Sequence, residues 1–394
     1  MARKFFNKTA VLNLIQSSHC QDNNTLNAAN LSFSLQSMYI EEKQDPPEIS
    51  VVIPCRNERA HIKTCVRSVL EQDGLSSSGV EVIVVDGMSD DGTWEILQQL
   101  ASQEPRLRIV ENHARIVSAG LNAAVRLAKG SIILRMDAHT EYAPDYIQQC
   151  VAVLKEKTAD NVGGPWIAKG DGFVSQAIAA AFQSRFGAGG ARGHDPKYEG
   201  QVDTVYLGCW PRQVFDRIGL FDEELVRNQD DEFNLRLSRS GGRIWQSPRI
   251  KSWYRPRGSL AALLRQYAQY GYWKVRVIQK HRIPASVRHV VPGFFVLLLM
   301  GLPIAALLWA GAVWVWLGLI TAYLVCDIAA SLVTAAQKEY RFFPLLIVTF
   351  PCFHMGYGYG FLRGIYDFII LRRKPCHRFT LLTRASARVP SRTN

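Results

Sequence analysis

Three segments constrain the fold more than anything else in the chain: ISVVIPCRNE (Ile49 to Glu58), VIVVDGMSDDGT (Val82 to Thr93) and IILRMDAH (Ile132 to His139). Each opens as an apolar, β-branched run of strand length and ends in acidic or polar residues. Strands apolar on both faces suit a parallel sheet covered by helices, and ligands bind at the carboxyl edge of such a sheet. Three repeats of the pattern predict a crevice lined with carboxylates, suited to a nucleotide and a divalent cation.

Helical patterns separate these runs, over Ala60 to Gln72, Thr93 to Gln103, Ser118 to Lys129 and Pro144 to Lys157. The alternation predicts an α/β fold with a mainly parallel sheet, occupying residues 48–254. Residues 1–47, rich in Asn, Gln and Ser, read as a polar extension. Gly163 to Tyr206 contains GGPWIAKGDG and FGAGGARGH around a small-residue helical stretch (Val174 to Arg185). A Gly-rich connection of this length is expected to form a lid or substrate-binding loop.

The net charge of +12 is unevenly placed. Arg249 to His289 holds ten Lys/Arg and no acid, and the tail 372–394 also lacks acids. Long apolar segments lie between them, and no nucleic-acid-binding signature accompanies the charge, so anionic lipid is the expected partner. Residues 255–288 read as a basic interfacial segment with an amphipathic helix at Leu260 to Gln279, and 289–371 as a transmembrane region. Within that region Val290 to Ala310 and Val313 to Ala336 are long enough to span. Phe342 to Leu371 is apolar but broken by Pro351, GYGYG and Arg363, which leaves its crossing open. Basic flanks on both sides favour an even number of crossings with both ends cytoplasmic.

GYGYG follows no strand, so close packing between membrane helices explains it better than a dinucleotide loop. Asp327 is an intramembrane acid with either a functional or a helix-pairing role. The eight cysteines lack CxxC pairs and metal-finger spacing and read as small buried hydrophobes. The first residues lack the pattern of a cleavable signal peptide.

Taken in order, these segments resemble family 2 of the glycosyltransferases, nearest to the membrane-bound bacterial enzymes that build succinoglycan-type exopolysaccharide. The resemblance implies a GT-A-like nucleotide-binding sheet followed by helical membrane anchors. It places Pro54, Asn57, Glu58, Asp86, Ser89 and Asp137 at the nucleotide-sugar donor, with Asp86 reading the uracil edge. A carboxylate accepts the imide N–H of uracil, a donor that cytosine lacks; the same Asp86 also suits a cap for the turn Ser89 to Gly92.

Asp137 and His139 stand where the family has its DXD, which implies a divalent cation, Mg²⁺ or Mn²⁺, on the donor's diphosphate. Imidazole in the last position is a softer ligand than carboxylate, so Mn²⁺ is expected to compete well with Mg²⁺. Asp230, in Asn228 to Glu232, corresponds to the catalytic base, although Gln229 replaces the usual Glu. Asp231 and Glu232 read as helix-start charges, Glu232 within reach of Arg236. Gly208 and Trp210 resemble the floor of the acceptor site, and a core position suits Trp210 nearly as well. Gln269 and Trp273 lie where processive synthases carry QxxRW. Tyr272 replaces the Arg of that motif, with Arg265 and Lys274 the nearest cations.

The expected activity is therefore inverting, metal-dependent transfer from a UDP-sugar to a lipid-linked saccharide. The expected location is the bacterial inner (cytoplasmic) membrane, with the catalytic domain in the cytoplasm, membrane lipids around it and exopolysaccharide assembly proteins as possible partners. The alternatives are a processive synthase of the same fold and a non-catalytic membrane scaffold.

Overall fold

The computed structural model describes residues 47–74, 79–187 and 189–381. The extension 1–47 and the end of the basic tail therefore lie almost wholly outside the described residues. The strands are β1 (Ile49–Cys55), β2 (Val80–Asp86), β3 (Leu107–Glu111), β4 (Ile132–Arg135), β5 (Thr140–Tyr142), β6 (Asn161–Gly164), β7 (Ile167–Ala168), β8 (Gly200–Gln201), β9 (Tyr206–Pro211), β10 (Ile244–Gln246) and β11 (Ser252–Tyr254). Helices α1 (Ile62–Leu70), α2 (Thr93–Ala101), α3 (Val117–Leu127) and α4 (Tyr146–Lys157) fill the gaps between the first strands. They match the expected helical windows to within three residues at each end. Further along come α5 (Phe173–Gln183), α6 (Gln213–Ile218), α7 (Gln229–Arg239), α8 (Leu260–His281), α9 (Val291–Ala305), α10 (Gly311–Gln337), α11 (Phe343–Gly364) and α12 (His377–Thr380).

Eight strands form one sheet in the order β3-β2-β1-β4-β9-β6-β10-β8. β1 pairs in parallel with both β2 and β4, while β9 runs antiparallel to β4 and β6. The chain thus winds outward from β1 to β3 and then crosses back to β4. That reversal is a topological switch point, where helices leave the sheet in opposite directions and open a crevice at the carboxyl edge. Val51, Ile53, Val82 and Val84 face one apolar layer and Val52, Ile83 and Val85 the other, all at most 1% exposed. Burying each such side chain stabilises the fold by about 1.5–3 kcal/mol, before the entropy of ordering it is set against the gain.

Three helices are long and apolar enough to cross a bilayer: Val287–Ala305, Gly311–Gln337 and Tyr340–Ile370. The segment whose crossing the sequence left open forms the third, and it is the most enclosed by protein. The glycines explain how. A Cβ on Gly356, Gly360 or Gly364 would meet the carbonyl oxygens of Leu264, Ala268 and Tyr272 on α8 at 2.8, 1.9 and 2.7 Å. On the other face, a Cβ on Gly358 would come within 2.4 Å of the Pro292 carbonyl of α9. GYGYG is thus a two-sided small-residue contact that lets backbones touch.

Helix α8, expected at a membrane interface, is enclosed along its centre, while Ala261, Leu264, Arg265, Gln279 and Lys280 toward its ends are exposed. From Gln266 to Ile278 no residue is fully exposed.

Candidate functional site

The switch point between β1 and β4 opens into a cavity of about 790 Å³. Its sheet side is lined by Pro54, Glu58, Asp137 and His139, and Asp230 and Asp231 enter from the start of α7. Gln266, Tyr267, Tyr270 and Lys274 of α8 form another wall, and Phe295, Tyr323, Phe353 and Tyr357 of the apolar helices close the far end. Trp166, Phe186, His194 and Tyr206 come from the Gly-rich connection, which is folded around α5 and does supply cavity walls.

Local chemistry explains each placement. The loops after β1 and β2 are stitched together: the backbone N–H groups of Asn57 and Glu58 donate to Ser89 Oγ (2.8 Å) and Thr93 Oγ1 (2.9 Å), and Asp90 N–H donates to Asn57 Oδ1 (3.0 Å). Asn57 takes a left-handed φ of 56°, a conformation that Asn tolerates better than most residues. Glu58, so held, accepts from or shares a proton with His139 Nδ1 at 3.0 Å. That contact leaves Nε2 as the ring nitrogen free to ligate, as a carboxylate partner does in metal-binding histidines.

Arg135, buried in the last position of β4, forks onto Asp137 at 3.0 and 3.3 Å. Burial opposes its charge, but Asp137 and Asp230 beside it keep the guanidinium protonated. No sequence motif marks Arg135. Its one signal was a cation closing an otherwise apolar strand, two residues before the Asp.

Helix α7 is anchored by a buried amide relay: Asn161 donates to Asn234 Oδ1 (2.9 Å) and Asn234 to Thr204 Oγ1 (2.9 Å). Phe233 packs into the core one turn below Asp230. At its N-terminus Asn228 donates to the Tyr270 carbonyl of α8 at 2.9 Å. Burial, reinforced by the Asp231 carboxylate, pushes Asp230 above the usual aspartate range, with Arg135 pulling the other way. Burial would raise Asp231 as well, but Lys274, whose Nζ is 2.6 Å away, holds it below that range. Asp231 thus belongs to the cavity and is more than a helix-start charge. Glu232 does pair with Arg236 at 2.7 Å, and with His281 at 2.9 Å.

Other singled-out residues lie elsewhere. Asp86 is 2% exposed, accepts from Ser89 through both oxygens, and does not line the cavity, although Val85 and Gly87 do. Asn57 and Ser89 brace the loops behind the lining. Trp210 is 2% exposed among Phe215, Phe221 and Phe233, a core position, and Gly208 packs against its ring. Gln269 and Trp273 point toward residues 379–381 instead of the cavity. Asp327 is enclosed in α10, its oxygens without a hydrogen-bond partner among the described residues, and it does not line the cavity.

Comparison with known proteins decides the family. A family model, Glycosyl transferase family 2, matches residues 50–210. The succinoglycan biosynthesis protein ExoA of Rhizobium meliloti (strain 1021) is 30% identical over 81% of this chain and 95% of its own length. The chain is a family 2 glycosyltransferase. A Methanococcus voltae enzyme, dolichyl N-acetyl-alpha-D-glucosaminyl phosphate 3-beta-D-2,3-diacetamido-2,3-dideoxy-beta-D-glucuronosyltransferase, is 26% identical over 80% of this chain and 97% of its own. The glycosyltransferase also shares its fold with the mannosyltransferase PcManGT of Pyrobaculum calidifontis, solved with GDP-Man and Mn²⁺. The TM-score is 0.51 at 20% identity, covering 88% of this chain and 98% of that one. The fold is GT-A-like, with three apolar helices at its C-terminal end.

Among the described residues no group of three or more His, Cys, Asp and Glu is placed to enclose a metal. The available pair, Asp137 and a Glu58-oriented His139, fits a cation that takes its other ligands from a bound diphosphate. Were Mn²⁺ held by this pair, Glu58→Gln would raise the concentration needed for half-maximal activity by about 10–100-fold, the range for losing such an orienting partner. Metal titration of the variant checks this.

Proposed function

We propose that this glycosyltransferase moves one sugar, with inversion, from a UDP-sugar to a hydroxyl of a lipid-linked saccharide in bacterial exopolysaccharide biosynthesis. One observation carries the reading: a single cavity joins Asp137, His139 and Asp230 to walls contributed by the apolar helices. An acceptor with a sugar at one end and a lipid at the other suits such a space. Lys274 and Arg288, which line it paired with Asp231 and Asp203, suit the acceptor's phosphate. The polar end and the basic residues 249–288 ahead of the apolar helices support a catalytic domain on the cytoplasmic side of the inner membrane. Tyr272, buried where processive synthases have Arg, favours a single addition over chain extension.

In this mechanism Asp230 accepts the proton of the acceptor hydroxyl as that oxygen forms its bond to C1. The C1–O bond to the nucleoside diphosphate breaks on the opposite face, through an oxocarbenium-like transition state. A divalent cation held by Asp137 and His139 would neutralise the charge developing on that leaving group. Arg135 keeps Asp137 in place and offsets the local excess of carboxylates.

Transfer should be assayed with the full chain in lipid nanodiscs, using labelled UDP-glucose, UDP-galactose, their N-acetylated analogues and GDP-mannose with prenyl-diphosphate saccharides. The expected product is longer by one sugar and requires Mg²⁺ or Mn²⁺. Neither transfer nor hydrolysis of any donor would end the proposal, and a preference for GDP-mannose would remove the uracil assignment of Asp86. The pH profile supplies a further check. A base must be deprotonated to act, so activity is present above its pKa and lost as pH falls through it. Because Asp230 is raised, the acid limb of kcat/KM should lie above the ordinary aspartate value of about 4.

A further inference from the structure

Helix α8 presents three neighbouring faces to three different partners. Gln266, Tyr267, Tyr270 and Lys274 face the cavity, and Ala268 and Gly271 face α11. The third face carries Gln269, Tyr272 and Trp273, and a C-terminal strap, Arg373 to Leu381, is laid against it. Gln269 Nε2 donates to the Leu381 carbonyl at 2.6 Å and Trp273 Nε1 to the Phe379 carbonyl at 3.0 Å. The Cys376 N–H donates to the Tyr272 hydroxyl at 2.9 Å, and that hydroxyl donates to Asp367 at 3.0 Å. The Phe379 ring lies parallel to the Tyr272 ring, 4.1 Å between centroids, and Phe379 is 4% exposed. Arg373 closes the other end of the strap on Asp367 at 3.0 Å.

Gln269 links the strap to the site by hydrogen bonds. Gln269, while donating to Leu381, accepts from Arg227 Nε at 3.2 Å. Arg227 lines the cavity and adjoins Asn228, which is itself tied to the Tyr270 carbonyl, and Asp230 follows two residues later. Behind this relay Phe379 shares an apolar cluster with Leu225, Leu235 and Trp273, so strap, α8 and α7 pack as one body. Strap displacement would release the Gln269 amide, and with it the turn that presents Arg227 and Asp230.

We propose that residues 373–381 are a positioning element of the transfer site, with Gln269 the positioning residue that couples them to Arg227. In this chain the Gln-x-x-Tyr-Trp segment then serves to hold the strap and not to contact substrate. The inference rests on the sugar-transfer reading for its kinetic test but not for its structural one.

Full-length Gln269→Ala should raise the acceptor KM about fivefold or more, the scale of one lost buried hydrogen bond, and Phe379→Ala, which removes the ring stacked on Tyr272, should raise it as well, each with donor KM within about twofold. Phe379→Tyr, which keeps the ring stack, should restore acceptor KM. Hydrogen exchange should accelerate at residues 225–232 in both Ala variants and stay unchanged along β1 and β4. Equal donor and acceptor KM changes, a loss of folded protein with both KM values intact, or unaltered exchange at 225–232 would each overturn the proposal. Exchange needs no turnover, so if no nucleotide sugar reacts, the functional reading fails while the strap is still judged.

Discussion

Asp230→Asn is expected to lower the transfer rate by on the order of 10²–10⁴-fold, the usual contribution of a positioned general base. Asparagine keeps the size and hydrogen-bonding reach of the side chain but cannot take a proton. The helix bearing it should survive, because the Asn161–Asn234–Thr204 relay and the buried Phe233 ring hold α7 independently of that carboxylate. Donor affinity should change little, since Glu58, Asp137 and His139 stand at the ends of β1 and β4 on the other wall. Binding of the donor measured calorimetrically, beside single-turnover transfer, separates the two effects. A variant retaining more than about a tenth of the wild-type rate would remove Asp230 from the role of base. In that event Asp231 would not be the natural substitute, because Lys274 holds it ionised and occupied.

Gly360→Ala is expected to destabilise the helical region by about 3 kcal/mol or more, at the upper end of overpacking costs. The new Cβ would lie 1.9 Å from the Ala268 carbonyl oxygen, 2.7 Å from its carbon and 2.9 Å from its Cα. All three are backbone atoms of α8, so no side-chain rotation relieves the overlap and the helices must part. Separation would carry Tyr270 and Lys274 with α8, so acceptor use should fall alongside stability. Gly318→Ala on α10 is the control, since nothing lies within 4 Å of its added Cβ. Thermal unfolding in detergent should show a lower Tm for the first variant and no loss for the second. Equal midpoints would mean that the α8–α11 contact does not depend on its small residues.

Strand ends were the legible part of the site. β1, β2 and β4 are continuous apolar runs, so their limits, and the polar residues just beyond, follow from pattern alone. Pairing Glu58 with His139 across the switch point required only that β1 and β4 be neighbours. Burial direction was harder to read. Trp210 reads as a sugar platform and nearly as well as a core ring, and only the packing of Phe215, Phe221 and Phe233 against it selects the core. Asp86 lies one strand away from the switch point, where its carboxylate closes on Ser89.

Local sequence alone determined the alternation of strands and helices, the position of the carboxyl edge, the apolar helices and the charges bordering them, because each depends on neighbours within a few residues. Tertiary structure decided which partner each polar side chain meets. Lys274 and Asp231 lie 43 residues apart yet form a cavity-lining pair, and Gln269 meets Leu381 across 112 residues. The α8 helix turns its faces to three partners at once, and periodicity can mark those faces without naming what covers them.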